Sequence, residues 1–462
     1  MKITISFVVC GLLSGCATYH AQPIEPTALI QSFEARTLHD PDLQRYVTAH
    51  LDSDAGSWSS GVWNFTTLTL AAFYFSPELD IARTKRGTSQ AAILTAAQRP
   101  NPMLQLPLKY TTNPKESGSP YASPYTFGLG LDIPIETAGK RGYRIEQAQQ
   151  FSHAARLNIG NVAWQIRSRL RGQMLNLYTA IQKTLILEKQ INAQQQIVAM
   201  LEKRLSVGAA SVPETYQARI TLTQNRLDLE KMQRQIVESR TQMASTIGLP
   251  ISAITNADIR FDTFERIYSD IPSDTIRRHA ILNRSDLLSA LAEYEARQAT
   301  LQLEIAKQYP DIYIGPGYTF DAGAHKFTLP IFGMSLPIFN QNQGPIAEAM
   351  ARRKEVAVRV NALQAQAVND TERGVQAYRA ALKNLYLSKP LLSFDERHLQ
   401  ALQTSFRAGE TNRLALTLAQ RETCVNTLVY LDARIRVQEN IGQLEDAMQR
   451  PLSATDLHVI PE

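Results

Sequence analysis

The chain has 462 residues, 44% of them hydrophobic and 20% charged, a composition that excludes wholesale disorder. The formal charge of +5 is small for this length, and the basic residues are scattered along helical stretches, which excludes a nucleic-acid footprint. Length alone allows about three ordinary domains, but an internal duplication points instead to one elongated body of two similar halves.

Met1 to Cys16 reads as a targeting segment, with Lys2 followed by an apolar run from Ile3 to Leu13 and by Ser14 and Gly15. The run is too short to span a bilayer as a helix. Leu13-Ser14-Gly15-Cys16 resembles a bacterial lipobox, which implies a signal peptide over 1–15 and a lipidated Cys16; the alternative is an ordinary signal peptide with a chance cysteine. Ala17 after the cysteine implies, by the same resemblance, sorting to the outer membrane. Cys424 then has no partner, so no intramolecular disulfide is expected. It lies among Leu418, Val425 and Leu428 on an apolar helix face and reads as a structural thiol.

Residues 16–60 contain Pro23, Pro26 and Pro41 and a Ser- and Asp-containing run, predicting an extended or partly helical tether. His39-Asp40-Pro41-Asp42 lacks further His or Cys at ligand spacing and reads as a turn or helix cap, not a metal site.

The first repeat is placed at 61–250. It opens with a helix from Trp63 to about Gln98, bent at Pro77. A hairpin follows, Met103–Tyr110 against Tyr125–Ile135, joined through the Pro- and Gly-containing stretch 113–120. Phe127, Leu129, Leu131, Ile133 and Ile135 alternate at the period of a strand with one apolar face. From Ile145 onward apolar residues recur at steps of three and four, predicting a helix from near Gly142 to near Leu205, roughly 95 Å long at 1.5 Å per residue. A turn around Gly208 leads to a returning helix that starts beside Ser211 and Pro213 and closes at Gly248.

After a connector at 251–272 the pattern returns over 273–450, and 451–462 forms a tail. A helix to Gln308 precedes strands Ile312–Phe320 and Phe327–Ile338, a long helix to Phe406, a turn at Gly409 and a helix to about Met448. Pro134 and Pro337 are 203 residues apart, Pro102 and Pro310 208, and Gly208 and Gly409 201. Three landmarks in one order at nearly one offset indicate a duplication. Four strands of about ten residues have the length to cross a bilayer when tilted. Four cannot close a barrel, and open edges are not viable in lipid. Several chains must therefore pool their strands.

Arg99-Pro100-Asn101-Pro102, the two strand-to-helix junctions and the turns around Gly208 and Gly409 resemble the TolC-type outer-membrane efflux factors over nearly the whole chain after residue 60. The resemblance implies a mainly α protein with transmembrane β: long α-helical hairpins forming a periplasmic tunnel, and four strands per chain contributing to a trimeric 12-stranded β-barrel. It also implies a homotrimer embedded in outer-membrane lipid, a periplasmic adaptor and an inner-membrane pump, with no cofactor and no nucleic acid. Pro134-Ile135-Glu136-Thr137-Ala138-Gly139-Lys140-Arg141-Gly142 resembles the junction of CzcC-like subunits of heavy-metal efflux systems, which implies export of metal cations. Drug or small-molecule efflux and type I protein secretion are the alternatives, because the same duct serves them.

Exposed turns between rigid helices carry recognition. The expected adaptor contacts are Leu205, Gly208, Ala209 and Val212 at one tip and Phe406, Gly409, Glu410 and Thr411 at the other. The resemblance also marks Glu214 and Arg219 as gate candidates. Ala415 and Leu418 stand where the family's type member has an acidic ring, so a cation-binding ring is not expected there. The eight histidines form no catalytic grouping, and the chain is read as a non-enzyme.

Overall fold

Two helical hairpins of nearly equal size dominate the chain, each with one long and one shorter arm. The computed structural model describes residues 18–51, 61–112, 123–268, 278, 282–321, 324–328 and 331–452. Two short helices come first, α1 (Pro26–Glu34) and α2 (Pro41–His50). Asp40 caps α2, accepting from the N–H groups of Asp42 at 2.7 Å and Leu43 at 3.3 Å, so its carboxylate satisfies orphan helix donors. Leu38, Leu43 and Val47 are buried in the main core, which makes the second half of the tether part of the folded body.

After β1 (Val62–Trp63), α3 (Phe65–Phe75) and α4 (Pro77–Ala97) are separated at Ser76, which is extended. Proline cannot continue the first helix but suits the first turn of the next. Asn64 and Thr67 form a capping box on α3. In α3 Phe65, Leu68, Leu70 and Phe73 are fully buried, each contributing about 1.5–3 kcal/mol by transfer from water. They meet Ile166, Leu170, Met174 and Leu177 midway along the first long helix, together with Met243, Ile247 and Phe264.

The hairpins are α5 (Lys140–Ser206) with α6 (Val212–Ile247), and α9 (Gln343–Arg407) with α10 (Arg413–Met448). α6 packs along α5, α5 along α10, and α10 along α9. Gly248 ends α6 in the left-handed region at φ +89, where a Cβ would stand 2.4 Å from the Phe75 carbonyl oxygen. Only glycine allows this close approach of the hairpin's end to the α3–α4 break. Arg36 donates to the carbonyls of Gly248 and Phe75, binding the tether to the same place.

Between the hairpins run α7 (Ser252–Thr255), β5 (Asp258–Ile259) and a single 3-10 turn at Asp262–Phe264. The connector is predicted as irregular, yet β5 pairs in parallel with β1 and Phe264 is buried. α8 (Ser285–Ala306) packs between α5 and α9.

α9 differs from α5 in one respect: Pro390 lies inside it. Its last buried residue is Ser388, and no side chain from 389 to 407 is buried. The matching part of α5, residues 188–206, buries Ile191, Ile197, Val198 and Leu201.

The strands form one antiparallel sheet with β4 (Tyr125–Ile135) near its centre. β2 (Met103–Gln105) and β3 (Leu108–Tyr110) pair with one side of β4. β6 (Ile312–Ile314) and β7 (Gly317–Asp321) pair with the other side. β8 (Ala324–Thr328) and β9 (Ile331–Met334) complete the far edge. Each predicted first strand is therefore interrupted once, at Leu106-Pro107 and at Gly315-Pro316. Proline cannot donate to a ladder, but Gly128 and Leu131 still donate to the carbonyls of Pro107 and Pro316. No helix among the described residues is long and apolar enough to cross a membrane.

Candidate functional site

The sheet has two chemically distinct faces. Cross-strand pairs Leu108–Phe127, Phe127–Phe320, Leu129–Tyr318 and Tyr318–Phe327 fall on one of them. Phe127 and Phe320 stack with ring centroids 5.0 Å apart, and Tyr110 lies 5.3 Å from Tyr125. Leu108, Tyr110, Phe127, Leu129 and Phe327 are all exposed in the single chain. The opposite face carries Lys109, Thr126, Asp321 and Lys326. There Thr126 donates to Asp321 at 3.0 Å, and the Lys326 ammonium pairs with the same carboxylate at 2.8 Å. An exposed aromatic and aliphatic face backed by a polar one is the pattern of a sheet facing lipid outside and water inside.

The sheet is fixed to the helices by charged side chains. Lys140, buried at the start of α5, donates to the Tyr309 carbonyl at 2.6 Å and pairs with Asp311 at 2.7 Å. Arg144 forks onto both Glu136 oxygens and also donates to the carbonyls of Ala96 and Gln98, while Arg141 donates to that of Ala97. These are orphan carbonyls at the end of α4. The segment 134–142 thus ties a strand, a long helix and a helix C-terminus together, and every contact it makes here is structural. At the second junction Asn342 adopts φ 63 and donates to the carbonyl and carboxylate of Glu304. Burial raises the Glu304 pKa, but hydrogen bonds from Lys307 and Asn342 and the Lys307 charge outweigh it, leaving the carboxyl below its ordinary value.

At the tips both glycines are left-handed, Gly208 at φ +74 and Gly409 at φ +80. Ala209 donates to the Arg204 carbonyl at 2.8 Å and Glu410 to that of Ser405 at 2.9 Å, closing the same turn twice. Ser211 caps α6 and Asn412 caps α10. Gly208, Ala209, Val212, Gly409 and Glu410 are exposed, whereas Leu205, Phe406 and Thr411 are half-buried.

The two gate candidates are not brought together. Arg219 reaches across the hairpin to Glu202 on α5, at 2.9 Å from Nε and 2.6 Å from Nη2, and stands over the Tyr216 ring at 5.8 Å. Glu214 is exposed, and its backbone N–H receives the Ser211 cap. Glu202 was the partner that sequence reasoning missed; a contact 17 residues away across a turn leaves no local signal.

A second missed group joins the halves. Arg167 and Arg171 on α5 are buried against Glu445 of α10, at 3.1 and 3.5 Å. Arg167 also lies 4.8 Å from the Phe65 ring and 4.9 Å from that of Trp164. Arg171 donates to the Gln438 carbonyl and side chain. Two arginines four apart on an otherwise apolar helix face were the available clue. Cys424 is half-buried, and burial pushes its thiol pKa up, in keeping with a packing role. Cys16 lies outside the described residues. Among the described residues no three or more His, Cys, Asp or Glu side chains converge as a metal centre.

An open sheet with an apolar face is set on two long hairpins, and open strand edges are not viable in lipid unless they are covered. Residues 74–249 match the family described as Outer membrane efflux protein. The chain is 23% identical to the cobalt-zinc-cadmium resistance protein CzcC of Cupriavidus metallidurans over 80% of its own length and 84% of that protein. It is 21% identical to the pyoverdine export outer membrane protein OpmQ of Pseudomonas aeruginosa over 94% of each chain. The crystal structure of the outer membrane protein VceC from Vibrio cholerae superposes with a TM-score of 0.66 at 18% identity, covering 84% of this chain and 97% of that one. The chain is thus similar to outer membrane efflux proteins over residues 74–249 and to CzcC over most of its length, and it shares the fold of VceC.

Proposed function

We propose that three copies of this chain form the outer-membrane exit duct of a tripartite efflux system, joined through a periplasmic adaptor to an inner-membrane pump. The observation that carries this reading is the antiparallel sheet of seven short strands with one apolar face, whose two edges are unpaired among the described residues and have to be pooled to survive in lipid. The duct is passive, and the two tips of each copy, Leu205 to Val212 and Phe406 to Thr411, are the surfaces offered to the adaptor. Lipid on Cys16 supplements the barrel as an anchor. Metal cations are the proposed cargo, on the similarity to CzcC and on the 134–142 junction. The similarity to OpmQ, which extends over more of the chain, favours a second reading in which the cargo is a small organic molecule.

The test is expression with the cognate pump and adaptor in a host stripped of its own exit ducts. Raised tolerance to zinc, cobalt and cadmium is expected. Tolerance to organic toxicants alone would transfer the cargo to the second reading, and tolerance to neither would sink the duct itself. Mass spectrometry of the mature protein is expected to find acyl chains on Cys16.

A further inference from the structure

The repeat is regular enough to specify how one copy meets the next. From the tip onward the halves are offset by 201 residues: Gly208 and Gly409, the caps Ser211 and Asn412, the 36-residue helices α6 and α10, and the left-handed ends Gly248 and Gln449. Inside the chain the long helix of the first repeat, α5, packs against the returning helix of the second, α10. Carrying that relation one repeat further sets α9, the long helix of the second repeat, against α6, the returning helix of a first repeat. That partner belongs to another copy, because α6 and α9 stand at opposite ends of the row α6–α5–α10–α9.

The internal seam also fixes the register. In an antiparallel pair the residue numbers of facing residues have a nearly constant sum. Across α5 and α10, Arg171 with Gln438 adds to 609 and Lys183 with Asp432 to 615, and the Trp164–Asp446 and Arg167–Glu445 contacts fall between. Moving from α5 to α9 adds 201 and moving from α10 to α6 subtracts it, so the same sum holds for α9 against α6.

Three of the exposed apolar residues on each helix obey it. On α6 Tyr216, Ile220 and Leu227 are 58%, 54% and 64% exposed; on α9 Leu387, Leu391 and Phe394 are 65%, 45% and 63% exposed. Leu227 with Leu387 adds to 614, Ile220 with Leu391 to 611 and Tyr216 with Phe394 to 610. Residues one repeat away in the same chain, Ala193 for Phe394 and Thr417 for Tyr216, are buried. We infer that these two stripes form the seam between neighbouring copies, in that register, with a second copy of this chain as the occupant. The inference rests on the proposed multichain duct and adds the surface and alignment by which it closes.

Cysteine pairs in the full-length protein test it, in a Cys424→Ser background and in native outer membranes. Leu227→Cys with Leu387→Cys, and Ile220→Cys with Leu391→Cys, are expected to lose the monomer band to covalent oligomers on treatment with a short bismaleimide. Leu227→Cys with Phe394→Cys, displaced by about 10 Å at 1.5 Å per residue, is expected to keep it. Each pair's native mass is measured before linking. A trimeric mass without linking of the in-register pairs, or with equal linking of the displaced pair, overturns the seam while leaving the duct intact. A monomeric mass for the unsubstituted protein overturns the duct reading itself.

Discussion

Glu445 has the largest consequence of any single side chain described, because two buried arginines depend on it. Removing one partner of a buried pair strands the other charges, at a cost of about 3–5 kcal/mol. Glu445→Ala is therefore expected to deplete folded protein from the outer membrane, measured by immunoblot of the membrane fraction; wild-type abundance would show that the arginines find other partners. Arg219 behaves differently. Its bond to Glu202 is exposed at both ends, and such pairs contribute about 0–1 kcal/mol. Arg219→Glu should leave abundance unchanged while loosening the first tip, and the exchange with Glu202→Arg should restore it. Single-channel conductance reads both, with a rise expected in the single variant and a return in the double. If Glu214→Lys raises conductance and Arg219→Glu does not, control rests with Glu214.

Elements were more legible than contacts. The period-two run at Tyr125–Ile135 and the step-three-and-four run after Ile145 announced β4 and α5, because burial of one face imposes those periods directly. The left-handed turns were announced by glycine, and the α3–α4 break by Pro77. Pro107 and Pro316 interrupt strands that were read as continuous, and Phe264 is buried in a connector that was read as irregular. The ties at the two junctions were not legible either, since Arg144 to Ala96 and Asn342 to Glu304 join residues whose proximity only the fold creates. One junction carries a pH dependence whose sign is fixed. Glu304 is held below the ordinary carboxylate value, so its stabilisation is present above the unfolded pKa, about 4.3. That stabilisation is lost as pH falls through the lower folded value. Thermal dissociation of detergent-solubilised protein should thus be less acid-sensitive in Glu304→Gln than in wild type. Equal acid sensitivity would remove Glu304 from the account.

At the scale of the whole molecule the chain is a row of four long helices, continued by a sheet with two free edges, and both ends of the row call for a neighbour. The duplication makes the two hairpins look equivalent, but Pro390 makes them mechanically unequal. A helix interrupted by proline loses one backbone hydrogen bond and bends there more readily than elsewhere. The interruption comes directly after the last buried residue of α9. Beyond it lie 17 residues to Arg407, a lever of about 25 Å at 1.5 Å per residue, and a few degrees of bending at its base become ångströms at its end. A ring assembled from such chains would alternate stiff and creased staves, and a closed mouth would widen by the creased ones yielding. Pro390→Ala straightens the crease without touching the tips, and planar-bilayer recordings are expected to show fewer and briefer openings. An unchanged opening frequency would mean that the staves bend somewhere else.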